Sequence, residues 1–367
     1  MLHTLIDLLR APVAFAVILG VLVFVHEFGH YAAARWQGVH VETFSIGFGS
    51  TIASWTDRRG TVWKLALIPL GGYVKLHGLE RGDDATDEVR ARWRPGHTFH
   101  DKPLRAKAVI IAAGPIANFL LAVVVFSGMF LTIGQSVVAP VVGDVLPNSP
   151  AAAAGLAVGD RVLAINGAPV TNFDQIRSVV AANPGKPLTL TIHRNHLART
   201  LNVTPETETV GGEKIGLLGI RGSTIEYRKL AAWKALPAGV MATWFVTRQT
   251  LAALWGMIAH HAGTSELSGP LGIAQLSGQV AALGFAYVLR LIAVLSANLG
   301  LFNLLPIPIL DGGHLLFYGV EAVMGRPVPR KVQEYGFRLG LVLLASVFLF
   351  ATWNDLVRIG LFHWMHG

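Results

Sequence analysis

The sequence predicts a polytopic α-helical membrane protein with about four transmembrane helices, a membrane-associated β-hairpin and one small inserted domain. Three observations lead there. Hydrophobic residues make up 52% of the 367 residues and charged residues only 14%, against about 45–50% and about 25% in ordinary globular chains. Mean hydropathy is +0.51. Four predominantly apolar runs approach or exceed the length needed, at about 1.5 Å per helical residue, to cross a ~30 Å hydrocarbon core. The chain has no cysteine, which excludes disulfides, thiolate metal sites and cysteine nucleophiles, so any metal must be held by His, Asp or Glu. The net charge of +8 is not a nucleic-acid footprint, because the basic residues flank apolar runs instead of forming a tract with interleaved aromatics.

The first run, Ala11 to Ala34, is interrupted only by His26, Glu27 and His30. It reads as a retained helix, since only Arg10 supplies a basic start and the run outlasts a usual signal-peptide core. The second, Ala108 to Ile133, contains Gly114-Pro115, which marks a local bend or a close helix contact. The third, Leu283 to Leu305, stops at Pro306 and Pro308, which cannot continue a regular helix. The fourth, Phe337 to Trp353, is shorter and relies on snorkelling by Arg338 at its margin.

Basic residues gather between the first two runs, including Arg35, Arg58, Lys75, Arg105 and Lys107, and again between the last two, at Arg326, Arg330 and Lys331. The positive-inside rule makes both connections cytoplasmic and puts 134–282 on the opposite face. Within that stretch, 136–224 has the turn-rich character of a soluble domain. The rest, 225–282, is an interfacial region in which Lys229 to Gly263 is apolar but broken by Lys234, Pro237 and Arg248, with Trp233, Trp244 and Trp255 spaced along it. That pattern predicts an amphipathic helix on the outer membrane surface rather than a fifth span. A fifth span would also move Asp311 to the side opposite His30. The chain is therefore divided at 1–135, 136–224, 225–282 and 283–367.

The chemistry lies in His26-Glu27-Phe28-Gly29-His30. Residues four apart on a helix lie about 40° apart around its axis, so both imidazoles face one way and are aligned to ligate zinc. Glu27, one residue from His26, is placed to serve as general base on a water rather than as a ligand. The pattern is common by chance in soluble proteins, but inside a span two histidines and a carboxylate carry a cost that demands partners. A catalytic zinc site needs a third protein ligand, and Asp311 is the best candidate. Prolines 306 and 308 let its carboxylate turn inward, and the ~22 Å of helix from Ala11 to His26 puts the histidines at the same inner depth.

These words, with FSIGFG (Phe44 to Gly49), PLGGYVKL (Pro69 to Leu76), AGPIANF (Ala113 to Phe119), SGPLGI (Ser268 to Ile273) and NLLPIPILDGGH (Asn303 to His314), resemble bacterial site-2 proteases of the RseP type. The stretch SPAAAAGLAVGDRVLAINGAPV, Ser149 to Val170, is similar to a bacterial PDZ domain. The resemblance touches every membrane segment except the last. It implies a zinc intramembrane metalloprotease of the bacterial inner membrane, with Zn2+ held by His26, His30 and Asp311 and with Glu27 as base. The implied substrates are single-span transmembrane proteins, of the anti-sigma-factor or remnant-signal-peptide type, and no nucleic acid partner follows. Asn298 and Asn303 would help hold substrate near the zinc. The hairpin of Glu42 to Leu76 would clamp an unwound substrate by strand addition, and the PDZ domain, periplasmic and next to membrane lipid, would read a peptide or the substrate's outer region.

Similar enterobacterial proteins carry two tandem PDZ domains, whereas 136–224 has room for one. The insert from Glu80 to His97 carries none of these motifs and is given no role. The alternative reading is a metal-binding membrane scaffold or transporter, in which the same four residues hold an ion without hydrolysis. Transporters usually show internal repeats, and none is evident in the sequence.

Overall fold

The computed structural model describes residues 2–79, 93, 95–210, 213–260 and 268–359, so most of the Glu80 to His97 insert lies outside the described residues. The chain forms two compact units, Phe130–Ala232 and the remainder on either side of it.

The first unit begins with α1 (Leu2–Trp36), whose continuous apolar sequence meets no helix breaker beyond Pro12 near its start. Two long strands follow, β1 (Val41–Thr56) and β2 (Val62–Leu76), and then α2 (Leu104–Thr132). The strands pair antiparallel and fold back on themselves. Phe44 faces both Val74 and Trp63, and Ser45 faces both Tyr73 and Lys64, while Trp55 faces Trp63. The result is a curled sheet of four runs, ordered 51–56, 62–66, 43–46 and 72–76, in which 72–76 forms one edge. At the tip Asp57 caps the turn, accepting from the Arg59 and Thr61 amides at 2.8 and 3.0 Å and from the Trp63 indole at 3.1 Å. Desolvation pushes the Asp57 carboxyl up, but these donors pull harder and leave it below its ordinary value. Phe44, Tyr31 and Trp63 stack into a cluster, with Phe44 and Trp63 centroids 4.4 Å apart, that fastens the sheet to α1.

The second unit holds β3 (Gln135–Val138), β4 (Val142–Val145), α3 (Pro150–Ala153), β5 (Arg161–Ile165), β6 (Ala168–Pro169), α4 (Phe173–Ala181), β7 (Leu188–Arg194), β8 (Leu197–Val203), β9 (Glu206–Val210), β10 (Glu213–Leu217), β11 (Ile220–Gly222) and β12 (Ile225–Arg228). Its main sheet is ordered β6-β5-β7-β8, and Val162, Ile165, Ile176, Leu188, Leu190 and Ile192 form its core. Ser149 and Asn172 cap α3 and α4. The first and last strands, β3 and β12, pair from Gln135–Arg228 to Val138–Ile225, which draws in flanking residues beyond the 136–224 expected from the sequence.

The chain then returns to the first unit through α5 (Ala232–His260), α6 (Pro270–Leu283), α7 (Phe285–Leu304), α8 (Asp311–Met324) and α9 (Arg330–Arg358). Among the described residues four helices are long and apolar enough to cross a membrane: Leu9–Trp36, Leu104–Thr132, Phe285–Leu304 and Arg330–Arg358. The last exceeds the expected Phe337 to Trp353 at both ends. Its acidic residue Asp355 is fully buried and engaged, accepting from the Gly272 amide at 2.8 Å and the Arg358 guanidinium at 2.9 Å.

α5 is the helix expected within 225–282, and one of its faces is packed against other helices. Ala235, Thr243 and Thr247 are buried, and a Cβ on Gly239 would meet the Val123 carbonyl and Ser127 of α2. Farther along, Thr250 donates to Asn298 at 2.8 Å, about 20 Å into α7 at helical rise. Over this stretch α5 runs alongside α2 and α7. The cause is a four-residue repeat of small side chains that admits close helix approach, while Trp233, Leu236, Met241, Trp244 and Trp255 face outward.

One buried pair contributes to the acid stability of the second unit. Asp160 is buried beside Arg194, whose Nε and Nη2 donate at 2.6 Å, and it also accepts from the Ala157 amide at 2.9 Å. Burial pushes the Asp160 carboxyl up, but the Arg194 bonds outweigh it and leave the group below its ordinary value. A depressed folded value means that the stabilisation is complete above the unfolded carboxyl value of about 3.9 and is lost as pH falls through the folded one. Asp160→Ala should therefore lower amide protection in β5 and β7 by about 1.5–3 kcal/mol at neutral pH. Hydrogen exchange of the whole chain should show this gap from wild type narrowing below about pH 4.

Candidate metal centre

The site is assembled from α1, α2 and the start of α8. His26 and His30 share one face of α1, with ring centroids 4.8 Å apart and planes at 86°, and their Nε2 atoms are 3.3 Å apart. Oδ2 of Asp311 lies 3.3 Å from Nε2 of His26 and 3.5 Å from that of His30. The approach to Asp311 is bent by sequence. After α7 the chain becomes extended at Leu305, passes Pro306 and Pro308, and reaches Ile309 at φ 96°, an unusual conformation for a β-branched residue. Gly312 and Gly313 then press against the carbonyls of Leu304, Leu305 and Ile307, leaving no room for a Cβ. That tight start to α8 directs the carboxylate at the histidines.

Two glycines bring α1 and α2 together. A Cβ on Gly29 would overlap the Ala113 carbonyl, and one on Gly114 would fall on the His30 ring. With the helices this close, Nδ1 of His30 donates to the Ile110 carbonyl at 2.9 Å, which leaves the Nε2 lone pair pointing at Asp311. Nδ1 of His26 lies 3.1 Å from the side-chain amide of Asn118.

The three facing atoms suit zinc. Ligands about 2.0–2.1 Å from a tetrahedral ion lie about 3.3–3.4 Å from one another, and the observed separations are 3.3, 3.3 and 3.5 Å. Oδ2 of Asp311 is buried without a hydrogen-bond donor among the described residues. Three acceptor atoms converging in an apolar setting repel one another unless a cation lies between them.

The site opens on a cavity of about 600 Å³ lined by His26, Glu27, His30, Asp311, Asn303 and His314, together with Gly72, Tyr73 and Val74 of β2. A Cβ on Gly72 would lie 3.0 Å from Cγ of Glu27, so the sheet edge passes directly against the expected base. The structure thus brings His26, Glu27, His30, Asp311 and Asn303 together. Asn298 is not among the lining residues, and its amide oxygen is taken by Thr250. Reading the sequence missed Gly72, Tyr73, His314 and Asn118. Asn118 and Gly72 lie within AGPIANF and PLGGYVKL, motifs that gave no hint of which side chains face the histidines.

Comparison with known proteins agrees with this chemistry. The model for peptidase family M50 matches residues 14–347. A Rhizobium meliloti protein whose name gives zinc metalloprotease as its class is 41% identical over 366 residues, covering 96% of each chain. Metalloprotease MmpA of Caulobacter vibrioides is 36% identical, covering 99% of each. Regulator of sigma-E protease RseP of Salmonella typhimurium is 34% identical, covering 94% of this chain and 98% of its own, in an alignment of 448 residues that exceeds this chain's length.

Gly114→Ala should displace the His30 ring and weaken zinc binding by tenfold or more, on the scale of lost ligand support. Gly128→Ala on the same helix, where a Cβ meets nothing within 4 Å, should leave zinc affinity unchanged. Chelator competition on the purified variants checks both.

Proposed function

Because this chain belongs to peptidase family M50 and is a zinc metalloprotease with four helices fit to cross a membrane, we propose that it hydrolyses peptide bonds inside the membrane. Its substrates in this reading are single-span proteins, of the anti-sigma-factor or remnant-signal-peptide type. One observation carries it: His26, Glu27 and His30 belong to the apolar helix Leu9–Trp36 and face a cavity that also holds Asp311. Ionisable groups at such depth are costly and mark function.

His26, His30 and Asp311 hold the zinc. When bound, zinc acidifies a water and polarises the scissile carbonyl. Glu27 accepts a proton from the attacking water and returns it to the amine that leaves, so the carboxylate is regenerated each turnover. A helical substrate hides its carbonyls in its own hydrogen bonds, so it must unwind and find replacements. The edge run 72–76 supplies them by strand addition, since Gly72, Tyr73 and Val74 line the cavity beside Glu27. Asn303 adds a side-chain amide on the facing wall. The bond to Thr250 favours a helix-joining role for Asn298.

In this reading the protein lies in the bacterial inner membrane with the metal toward the cytoplasmic side, an orientation supported by the basic connections within the first and the last pair of spans. The inserted unit acts as a periplasmic PDZ domain that excludes substrates with intact bulky outer domains, a reading supported by the words Ser149 to Val170 and by a four-stranded sheet with two capped helices.

Purified protein in detergent should cleave a single-span substrate. Glu27→Gln should slow cleavage by about 10²–10⁴-fold, the range of general acid–base catalysis, while retaining zinc. Cleavage by the variant at the wild-type rate would remove the base role. Deleting 136–224 should extend cleavage to substrates with intact outer domains; unchanged selectivity would remove the exclusion reading.

A further inference from the structure

The two histidines are oriented by different means. His30 donates its Nδ1 proton to a backbone carbonyl, that of Ile110, a partner that no side-chain change can delete. His26 faces a side chain, that of Asn118, with Nδ1 of the ring 3.1 Å from the amide nitrogen. Asn118 is fully buried, and its Oδ1 has no hydrogen-bond donor among the described residues. Its backbone carbonyl accepts from the Ser296 hydroxyl of α7 at 2.8 Å, and Ser296 is also fully buried. The residue is therefore held between α1 and α7.

We propose that Asn118 is a positioning residue for the metal centre: its amide oxygen accepts the Nδ1 proton of His26 and so fixes that ring with Nε2 free to bind zinc. The proposal rests on the zinc-site reading and extends it to a residue on a helix that provides no ligand. The proton count of the His26 ring requires an acceptor at Nδ1. Neutral imidazole carries one N–H, and a ring that ligates through Nε2 must carry it on Nδ1. An amide nitrogen facing that position would set N–H against N–H. Turning the amide by 180° exchanges oxygen and nitrogen without moving a heavy atom appreciably. The turned amide replaces that repulsion with a hydrogen bond and employs the buried Oδ1. Metal-binding histidines generally donate their second ring proton to an oxygen, and losing that oxygen typically costs 10–100-fold in metal affinity or activity.

The test is zinc affinity of the full chain in detergent, measured by chelator competition, alongside the thermal midpoint of each metal-free protein. Asn118→Leu keeps the volume and removes the acceptor; it should weaken zinc binding by about 10–100-fold. Asn118→Asp keeps an acceptor oxygen and should bind zinc at least as tightly as wild type. It decides the matter by itself should Asn118→Leu fail to fold. A residue that only packs helices would shift the metal-free midpoint in both variants and would show no rescue by Asp. Wild-type affinity in Asn118→Leu, or a tenfold loss in Asn118→Asp, overturns the proposal while leaving the zinc site intact. Failure of the wild-type chain itself to bind zinc overturns the site and the proposal together.

Discussion

The structure is organised around one electrostatic debt: two imidazole lone pairs and a carboxylate oxygen, 3.3–3.5 Å apart, in a helix sequence that is otherwise apolar. Such an arrangement is stable only around a cation, and only if each donor is held against rotation away from it. Much of the surrounding architecture serves that second requirement. Ile110 and Asn118 fix the two rings from α2, and the unwound Leu305–Leu310 stretch aims the carboxylate from the start of α8.

Holding side chains to tenths of an ångström requires backbones that approach closely, and in a membrane small residues permit this where burial of apolar surface gives no driving force. Gly29 and Gly114 bring α1 and α2 into contact at the metal. Gly300 does the same between α7 and α2, beside Pro115 and Phe119. Above this level, Ile18 and Leu22 of α1 pack with Leu291 and Ile292 of α7. Below it, Tyr31, Ala34, Phe44 and Ile110 join α1, the curled sheet and α2. The three facing atoms of His26, His30 and Asp311 lie between two ordinary hydrophobic clusters.

What was legible in the sequence follows from this division. The i, i+4 histidines and Glu27 announce themselves because helical geometry is local, and Asp311 does so because prolines and glycines mark an abrupt turn. Contacts between distant segments are not written locally. Asn118 meets His26 across 92 positions, and its motif reads equally well as helix packing. The two strands were visible as a hairpin, but their doubling into four runs depends on Gly47 at φ 87° and Gly49 at φ 85° in β1, and Gly71 at φ 126° in β2. Glycine by itself does not specify which of those positions turns. The packing of α5 is equally non-local, because Ala235, Gly239, Thr243 and Thr247 form a stripe whose meaning depends on the helices it meets.

The last helix illustrates how an element without a ligand still bears on the metal. Asp355 on α9 accepts the Gly272 amide in the first turn of α6 and also pairs with Arg358, so a buried anion meets the positive end of one helix and a guanidinium at once. α6 in turn packs on α1, where Gly278 leaves no space for a Cβ beside Ala11. At its other end α9 crosses the Asp311 approach, with Gly340 lying against the Pro308 carbonyl. α9 therefore touches both halves of the ligand set, through α6 to the histidine helix and through Pro308 to the carboxylate turn. Its polar contacts lie toward its two ends, Asp355 with the Gly272 amide and Arg358 at one and Arg330 with Glu334 at the other, while 341–350 between them is apolar apart from Ser346.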